Sequence, residues 1–164
     1  MKRFILMRHA KSDWSATDAS DHERGLNPRG QQSAQALGAW LRTHGYLPDH
    51  ILCSDAVRTR ETLNGLKLGD VPTTFDHTLY LAEPDLMIDA LRNRHEACIM
   101  MLAHNPGSAI LAQELLADAP THADFDSYPT CATLVADFEI EQWSDLGAGT
   151  GQVVDFAVPR DLMK

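Results

Sequence analysis

Short apolar runs alternate along the chain with longer segments in which apolar residues recur every three or four positions. The short runs predict buried β-strands at residues 3–7, 51–54, 71–75 and 97–103. The longer segments predict helices that begin near Asn27, Asp55, Pro84 and Pro106, the last of them running to about residue 117. Strands that alternate with helices indicate an α/β fold.

Two late apolar runs, at residues 133–138 and 152–158, have the glycine-rich loop 145–151 between them. No crossover helix fits there, so these strands are expected to form an antiparallel hairpin at a sheet edge. The predicted fold class is therefore a three-layer α/β/α arrangement around a mainly parallel sheet. Asn27 fits the start of the first helix, and Gly45 fits its end.

Length and composition limit the class of protein. A chain of 164 residues fits a single domain spanning residues 1–164. The formal net charge of −9 argues against nucleic acids and anionic membranes as partners, because both need a cationic surface. The apolar run at residues 4–7 is too short for a signal peptide or a membrane span, so a cytoplasmic location is expected. The three cysteines lack paired spacing and are expected to be reduced thiols.

Basic side chains and imidazoles follow three of the predicted strands. Arg8 and His9 come after the first strand, Arg58 comes shortly after the second, and His104 and Asn105 follow the fourth. Ligands of open α/β sheets bind at the carboxyl ends of the strands, so these residues are expected to converge in one crevice. Guanidinium groups hold phosphoryl oxygens through paired hydrogen bonds, and the combination therefore predicts phosphoryl transfer in a local basic pocket.

Four short motifs occur in a fixed order along the chain. They are Arg-His-Ala at residues 8–10, Leu-Asn-Pro-Arg-Gly at 26–30, Ser-x-x-x-Arg-x-x-x-Thr at 54–62 and His-Asn-Pro-Gly at 104–107. Together they resemble the histidine phosphatase superfamily, which has the phosphoglycerate-mutase-like fold, although alanine at position 10 departs from the usual glycine. The opening run Arg-His-Ala-Lys-Ser-Asp-Trp and the short chain are most similar to the SixA-type phosphohistidine phosphatases.

The resemblance implies a mechanism and the residues that perform it. His9 is expected to be the nucleophile that accepts the phosphoryl group and passes it to water. Arg8, Arg58 and His104 are expected to hold the phosphoryl oxygens. His9 must be neutral to attack whereas His104 serves best when charged, so the pocket is expected to push their two pKa values apart. Neither a cofactor nor a metal is implied.

Further residues are candidates for substrate binding or proton transfer. Ser12 and Asn105 are candidate substrate-binding residues, although each also fits an ordinary loop or turn. Relatives that cleave phosphate esters use a glutamate between the two central motifs, where Glu83 lies, so Glu83 is a candidate general acid. It is equally well placed to begin a helix. Cleavage of a phosphorus–nitrogen bond needs less acid assistance than ester cleavage, so a poorly matched acid agrees with a phosphohistidine substrate.

The other histidines and several arginines are expected on the surface, and Trp14 is a candidate for the floor of the pocket. The histidines without metal-ligand spacing are His22, His44, His50, His77, His95 and His122. Three arginines could extend the basic field around the phosphate, although ion pairs on helix surfaces are their expected role: Arg24, Arg29 and Arg60.

The leading hypothesis is a metal-independent phosphatase that removes phosphate from phosphohistidine in a protein partner. A chain this short leaves little room for the lids that enclose small substrates. Three alternatives stay open: a phosphomonoesterase for a small metabolite, a phosphate-binding module without catalysis, and a metal-dependent hydrolase built on His9 and His104. The neighbouring arginines argue against the last one, because they repel a divalent cation.

Overall fold

The structure is a computed structural model that describes residues 1–15 and 18–163. The strands of this part of the chain are Lys2–Arg8 (β1), His50–Ser54 (β2), Thr73–Asp76 (β3), Cys98–Ala103 (β4), Thr133–Phe138 (β5) and Gln152–Ala157 (β6). The helices are Pro28–Thr43 (α1), Val57–Leu66 (α2), Pro84–Arg92 (α3), Gly107–Leu115 (α4) and Pro159–Leu162 (α5). None of these helices is both long and apolar enough to cross a membrane.

The strands form one sheet in the order β3-β2-β4-β1-β5-β6. The first four strands of the chain run parallel to one another, whereas β5 runs antiparallel to β1 and β6 antiparallel to β5. The prediction of a mainly parallel sheet with an antiparallel hairpin at one edge is confirmed. Because β2, β4 and β1 are parallel neighbours, the residues that follow them leave the sheet along the same border.

Helices cover both faces of the sheet and give the predicted three-layer arrangement. Side chains of β1 alternate between the two faces: Phe4 and Leu6 belong to one apolar core, and Ile5 and Met7 belong to the other. Helices α3 and α4 supply apolar side chains to the first core, and α1 and α2 supply them to the second. All four of these β1 side chains are fully buried.

The first helix begins and ends as its sequence predicts. Asn27 is the N-cap, and its side-chain oxygen accepts a hydrogen bond from the backbone N–H of Gly30 at 2.8 Å. Pro28 occupies the first turn, where its missing N–H leaves no intrahelical bond unmade. The helix ends at Thr43, and Gly45 follows with φ of 70°, a conformation that glycine adopts without steric cost.

The elements lie within about two residues of their predicted bounds, and two of the differences have a local cause. Strand β3 covers Thr73–Asp76 instead of residues 71–75, since Pro72 lacks the N–H that would extend the ladder. Helix α4 stops at Leu115, because Leu116 forms a bridge with Gly151 of the glycine-rich loop and takes the backbone out of the helix.

The segment between α4 and β5 has no counterpart among the predicted elements, yet it closes one end of the sheet. Phe125 and Tyr128 are buried in the first core. The Tyr128 hydroxyl donates to the backbone carbonyl of Leu6 at 2.5 Å, which ties the segment to the central strand. The backbone N–H of Cys131 donates to the carbonyl of His9 at 2.9 Å. This segment therefore reaches the border at which the candidate site residues lie.

Candidate active site

The four residues expected to carry the chemistry line a single cavity of about 380 Å³. Arg8 is the last residue of β1 and His9 follows it, while His104 comes directly after β4. Arg58 lies in the first turn of α2, which follows β2. The side-by-side ends of these three strands thus bring together side chains that are up to 96 positions apart in the sequence.

The imidazole of His9 is oriented by a backbone carbonyl. Its Nδ1 lies 2.7 Å from the carbonyl oxygen of Ala10. A carbonyl can only accept, so Nδ1 carries the proton and the neutral ring keeps its free electron pair on Nε2. The backbone N–H of Ala10 donates to Thr62 Oγ1 at 2.9 Å, which fixes this turn against α2. His9 is buried and lines the cavity.

The imidazole of His104 lies against that of His9, with the ring centroids 5.4 Å apart. Its Nε2 is 2.8 Å from Ser54 Oγ, at the end of β2. Its Nδ1 is buried and has no hydrogen-bond partner among the described residues. A buried polar atom left without a partner costs about 1–3 kcal/mol, and such atoms are characteristic of functional sites.

The Ser-x-x-x-Arg-x-x-x-Thr motif places one side chain at the end of β2 and two on the face of α2 nearest the strand ends. Ser54 contacts His104, and Arg58 lines the cavity one helical turn later. After another turn, Thr62 accepts the hydrogen bond from Ala10 and donates its own hydroxyl to the carbonyl of Arg58 at 2.7 Å. The four-residue spacing therefore joins β2, β4 and the turn after β1 in one assembly.

Arg58 is held by an acidic residue of the loop that precedes α1. Its two terminal nitrogens donate to the backbone carbonyl of Asp21 at 2.6 Å and to the carboxylate of Asp21 at 3.0 Å. The same carboxylate accepts hydrogen bonds from Tyr80 and from Arg24, the latter at 2.9 Å. The bonds from Tyr80 and Arg58 hold the pKa of Asp21 well below its usual value despite partial burial. Asp21 therefore stays ionised and joins two arginines at the cavity wall.

Comparison with known proteins agrees with this geometry. The family model of the histidine phosphatase superfamily (branch 1) matches residues 4–83. An uncharacterised protein from Mycobacterium tuberculosis is 32% identical over 161 residues, which cover 94% of this chain and 100% of that relative. The chain belongs to the histidine phosphatase superfamily.

Solved structures of phosphatases share the fold of this chain. The chain is similar to the structure of a candidate SixA phosphohistidine phosphatase from Agrobacterium tumefaciens, with a TM-score of 0.83 and 25% identity over 96% of this chain and 98% of that one. It also shares its fold with the phosphoserine phosphatase of Entamoeba histolytica, with a TM-score of 0.67 and 14% identity over 99% and 100% of the two chains. The protein is a phosphatase of the phosphoglycerate-mutase-like fold.

The cavity of this histidine phosphatase is strongly basic although the whole chain carries a net charge of −9. The basic residues that line it are Arg8, Lys11, Arg24 and Arg58. At an effective dielectric constant near 20, one such charge about 4 Å from a phosphoryl oxygen contributes roughly 4 kcal/mol before desolvation is subtracted. The Nε atoms of Arg8 and Arg58 are buried without hydrogen-bond partners among the described residues. The site is therefore suited to an anion with several oxygens.

The pKa values of the two histidines shift in the same direction. Burial, together with the charges of Arg8 and Arg58, lowers the pKa of His9 to about 4. Burial, together with the neighbouring His9 and Arg58, lowers the pKa of His104 to about 3. His9 is thus neutral as expected, but the expected separation with a charged His104 is not present in the free site. The cause is that the same cations and the same burial act on both rings.

Arg24 lines the cavity, which is the less expected of the two roles that the sequence suggests for it, and it also forms an ion pair with Asp21. It lies in the loop before α1, is buried, and donates from Nε to Ser12 Oγ at 3.2 Å. Its guanidinium stacks on Trp14 at 3.6 Å from the ring centroid. Trp14 is 74% exposed, so it lies at the rim of the cavity instead of on its floor. The clue available in the sequence was the length of the loop itself.

Asn105 lines the cavity, but its side chain holds the backbone around it. Its Nδ2 donates to the carbonyls of Ser127 at 3.1 Å and of Tyr128 at 3.0 Å. The same carbonyl of Tyr128 accepts a hydrogen bond from Arg8 at 3.3 Å. Asn105 therefore supports the position of Arg8 through a shared backbone oxygen.

Glu83 lies outside this cavity. It is the exposed N-cap residue of α3 and lines a neighbouring cleft that shares only Leu81 with the cavity. The geometry thus agrees with its alternative reading as a residue that begins a helix.

One histidine differs from its expected surface position, and two others converge on one carboxylate. His50 is buried, and its Nε2 lies 2.9 Å from Thr74 Oγ1 on the adjacent strand. His22 and His77 both contact the carboxylate of Asp55 next to the cavity wall. His77 is exposed as expected, and the convergence follows from the pairing of β2 with β3 instead of from a metal-ligand spacing in the sequence.

Proposed function

We propose that this phosphatase removes phosphate from phosphohistidine in a protein partner through a phosphorylated intermediate on His9. The observation that carries the proposal is the free Nε2 electron pair of His9 inside a cavity lined by Arg8, Arg58 and His104. A neutral imidazole is a competent nucleophile, and the low pKa of His9 keeps it neutral over the physiological range.

The reaction has two displacement steps at phosphorus. Nε2 of His9 attacks the phosphoryl group, the phosphorus–nitrogen bond of the substrate breaks, and the leaving imidazole takes up a proton from solvent. Water then attacks the phosphorus of phospho-His9, which releases inorganic phosphate and restores the ring. Arg8 and Arg58 stabilise the charge that spreads over the three equatorial oxygens in both steps. The proposed chemical steps use no metal ion.

The surroundings of the cavity favour phosphohistidine over a phosphate ester. Glu83, the candidate acid, belongs to a different cleft, so an alkoxide leaving group would lack its help. A leaving imidazole is far less basic and needs less assistance. Trp14 and Leu81 line the cavity and are 74% and 52% exposed, so its mouth presents apolar surface suited to contact with a protein.

Trapping the intermediate tests the proposal. After rapid quenching without acid, mass spectrometry of protein incubated with a phosphoramidate or a phosphohistidine peptide is expected to find phosphate on His9. The His9→Ala variant should lose both the label and turnover, by at least roughly 1,000-fold. His44→Ala, which changes a histidine outside the cavity, serves as the control. Full turnover by His9→Ala, or label on another residue, contradicts the mechanism.

A second candidate is a phosphomonoesterase for a small metabolite, in which Glu83 would act as the acid across the shared Leu81. Glu83→Gln separates the two functions. We expect this variant to hydrolyse phosphohistidine within about twofold of the wild-type rate, since the leaving group needs no carboxyl. A large loss of ester hydrolysis with little loss on phosphohistidine favours the phosphohistidine phosphatase, and a large loss on phosphohistidine counts against it. Inactivity of the wild-type protein toward both substrates would instead indicate a phosphate-binding module.

A further inference from the structure

Two imidazoles and a carboxylate meet beside the cavity, in a cluster that the phosphatase mechanism does not use. Nε2 of His22 lies 2.7 Å from Oδ1 of Asp55, and Nδ1 of His77 lies 2.9 Å from Oδ2 of the same carboxylate. One ligand atom from each residue lies within 4.8 Å of the other two. We call these three residues the His22–Asp55–His77 cluster.

Two of the three cluster residues, Asp55 and His77, directly follow neighbouring strands of the sheet. Ser54 of β2 pairs in register with Asp76 of β3, so the next residues, Asp55 and His77, leave the sheet side by side. His22 comes from the loop before α1 and is fixed by its own backbone carbonyl, which accepts from the N–H of Val57 at 3.0 Å. The three side chains are therefore held by two strand ends and the start of α2.

The donor atoms suit a borderline divalent cation. Zinc binds histidine nitrogen and carboxylate oxygen at about 2.0–2.2 Å, and three protein ligands leave a fourth position for water. The nitrogen–oxygen pairs now at 2.7–3.0 Å would need to separate by a few tenths of an ångström around such an ion. The two ring nitrogens, which lie within 4.8 Å of each other, would need to be about 3.3–3.5 Å apart. Arg60 binds the backbone carbonyl of Asp55 at 2.9 Å, so the carboxylate remains available to the two imidazoles.

We propose that the His22–Asp55–His77 cluster is a binding site for a first-row divalent cation such as Zn²⁺, distinct from the phosphate cavity. On binding, each coordinating ring nitrogen gives up its proton to solvent or to the other nitrogen of its ring, and the cation takes its place against the carboxylate. This site adds to the proposed phosphatase function and does not take part in its chemical steps.

The site is connected to the phosphate cavity through Tyr80. The ring of Tyr80 contacts the rings of His22 and His77, with centroids 4.8 and 5.6 Å away. Its hydroxyl donates to Asp21, which holds Arg58. A cation bound to His22 would therefore fix the segment that positions an arginine of the cavity. The ion would act as a clamp between the loop before α1 and the border of the sheet.

Cobalt(II) is a suitable probe, because its visible absorption reports nitrogen and oxygen ligands directly. Titration of the metal-free wild-type protein with Co²⁺ is expected to produce a ligand-field spectrum that saturates at one ion per chain, and Zn²⁺ should displace it. His22→Ala and His77→Ala should each weaken Co²⁺ binding by roughly 100-fold or more. Zn²⁺ should raise the Tm of the wild-type protein and leave that of the two variants unchanged.

Two further variants keep the test decisive. Asp55→Asn preserves the shape of the cluster while removing its charge, and it should lose Co²⁺ binding even where an alanine variant folds poorly. His95→Ala is the matched control, since His95 also lies near a carboxylate, 3.9 Å from that of Glu96, but outside the cluster. The proposal is overturned if Co²⁺ gives no saturable spectrum, or if His22→Ala and His95→Ala bind it equally well. Neither result depends on phosphatase activity, so this test and that of the proposed function fail independently.

Discussion

The chemistry of His9 depends on contacts that keep its ring neutral and correctly oriented. The carbonyl of Ala10 fixes the proton on Nδ1, and burial among arginines suppresses a second proton on Nε2. A histidine with its ordinary pKa of 6.5 would be partly protonated in a slightly acidic medium. The surroundings of His9 therefore extend the pH range in which its ring is neutral, and able to act as a nucleophile, by more than two units toward acid.

Titration of the histidine rings by NMR tests whether the pKa values of His9 and His104 are lowered. The ring resonances of His9 and His104 are expected to show no inflection between pH 8 and pH 5, and to titrate near 4 and 3. Between pH 6.5 and about 4 the unfolded chain binds more protons than the folded one, so the free energy of unfolding should fall as the pH decreases through this range. Inorganic phosphate should raise both pKa values, because it places negative charge beside both rings.

Single-site variants assign these signals and decide the outcome. The chain has eight histidines, so His9→Gln and His104→Gln are both needed, and each variant removes and thereby identifies one of the two sets of ring resonances. A His9 resonance that titrates near 6.5 in the phosphate-free protein would show that burial and the arginines do not control its protonation.

Asp21 is expected to set the position of the arginines. Asp21→Asn removes the charge that holds Arg58 and Arg24, and a hydrogen bond to a charged group is worth about 1.5–3 kcal/mol. We expect kcat to fall by roughly 10- to 100-fold. The affinity for inorganic phosphate should not weaken, because loss of the carboxylate makes the cavity more positive. Steady-state kinetics and phosphate titration measure the two effects.

The control for this variant is Asp118→Asn, which changes an exposed carboxylate away from the cavity. It should leave both quantities unchanged. An unaltered kcat in Asp21→Asn would remove Asp21 from the list of positioning residues.

At the scale of elements, the start of α1 packs directly on the turn after β1. A Cβ atom added to Gly30 would lie 2.1 Å from the backbone carbonyl oxygen of Lys11. That carbonyl also accepts the N–H of Asn27 at 3.1 Å, so it cannot move without disturbing the helix cap. The glycine of the Leu-x-x-x-Gly motif is thus explained by the close approach of two backbones.

Gly30→Ala is expected to lower the free energy of unfolding by about 1–3 kcal/mol, since overpacking against a backbone atom cannot be relieved by a side-chain rotation. It should also reduce kcat/KM, because Lys11 and Ser12 line the cavity. Urea denaturation and steady-state kinetics measure these effects. Gly147→Ala is the matched control: its added Cβ meets nothing closer than 3.7 Å, and its stability should stay within about 0.5 kcal/mol of wild type. Equal stability of the two variants would refute the packing argument.

The parts of the site that follow buried strands could be predicted from the sequence. Arg8, His9 and His104 were recognisable because an unbroken apolar run fixes where a central strand ends, and parallel strands end at a common border. The same rule applied to the weaker strand β3 would have placed His77 next to Asp55. Short apolar runs in the sequence thus predict which residues lie along the border of the sheet.

The residues that could not be predicted belong to irregular segments. Asp21 and Arg24 lie in a polar loop without periodicity, and Arg58 and Tyr80, which bind Asp21, are 37 and 59 positions away from it in the sequence. Tyr128 reaches Leu6 across 122 positions. Contacts of this kind follow from the tertiary arrangement, and no short-range pattern of apolar residues encodes them.

At the scale of the whole molecule, the two apolar cores share the strands that separate them. Met100 packs in the core beneath α1 and α2, whereas its neighbour Met101 packs in the core beneath α3 and α4. If either core loses its packing, one face of β4 and β1 is exposed, and the strands that support the other core are destabilised. We therefore propose that residues 1–164 form one cooperative unit, in accordance with the single domain that the chain length indicates.

Tryptophan fluorescence can follow each core separately, because Trp40 belongs to one core, Trp143 to the other, and Trp14 is exposed. In the Trp14→Phe/Trp143→Phe variant only Trp40 reports, and in Trp14→Phe/Trp40→Phe only Trp143 does. Within each variant, the urea midpoint from fluorescence should coincide with that from far-UV circular dichroism, as two-state unfolding requires. Because both midpoints are measured on the same variant, any stability lost through the substitutions shifts them equally. A fluorescence midpoint that precedes the circular dichroism midpoint in one variant would show that its core unfolds alone, because the shared strands would then fail to couple the two faces.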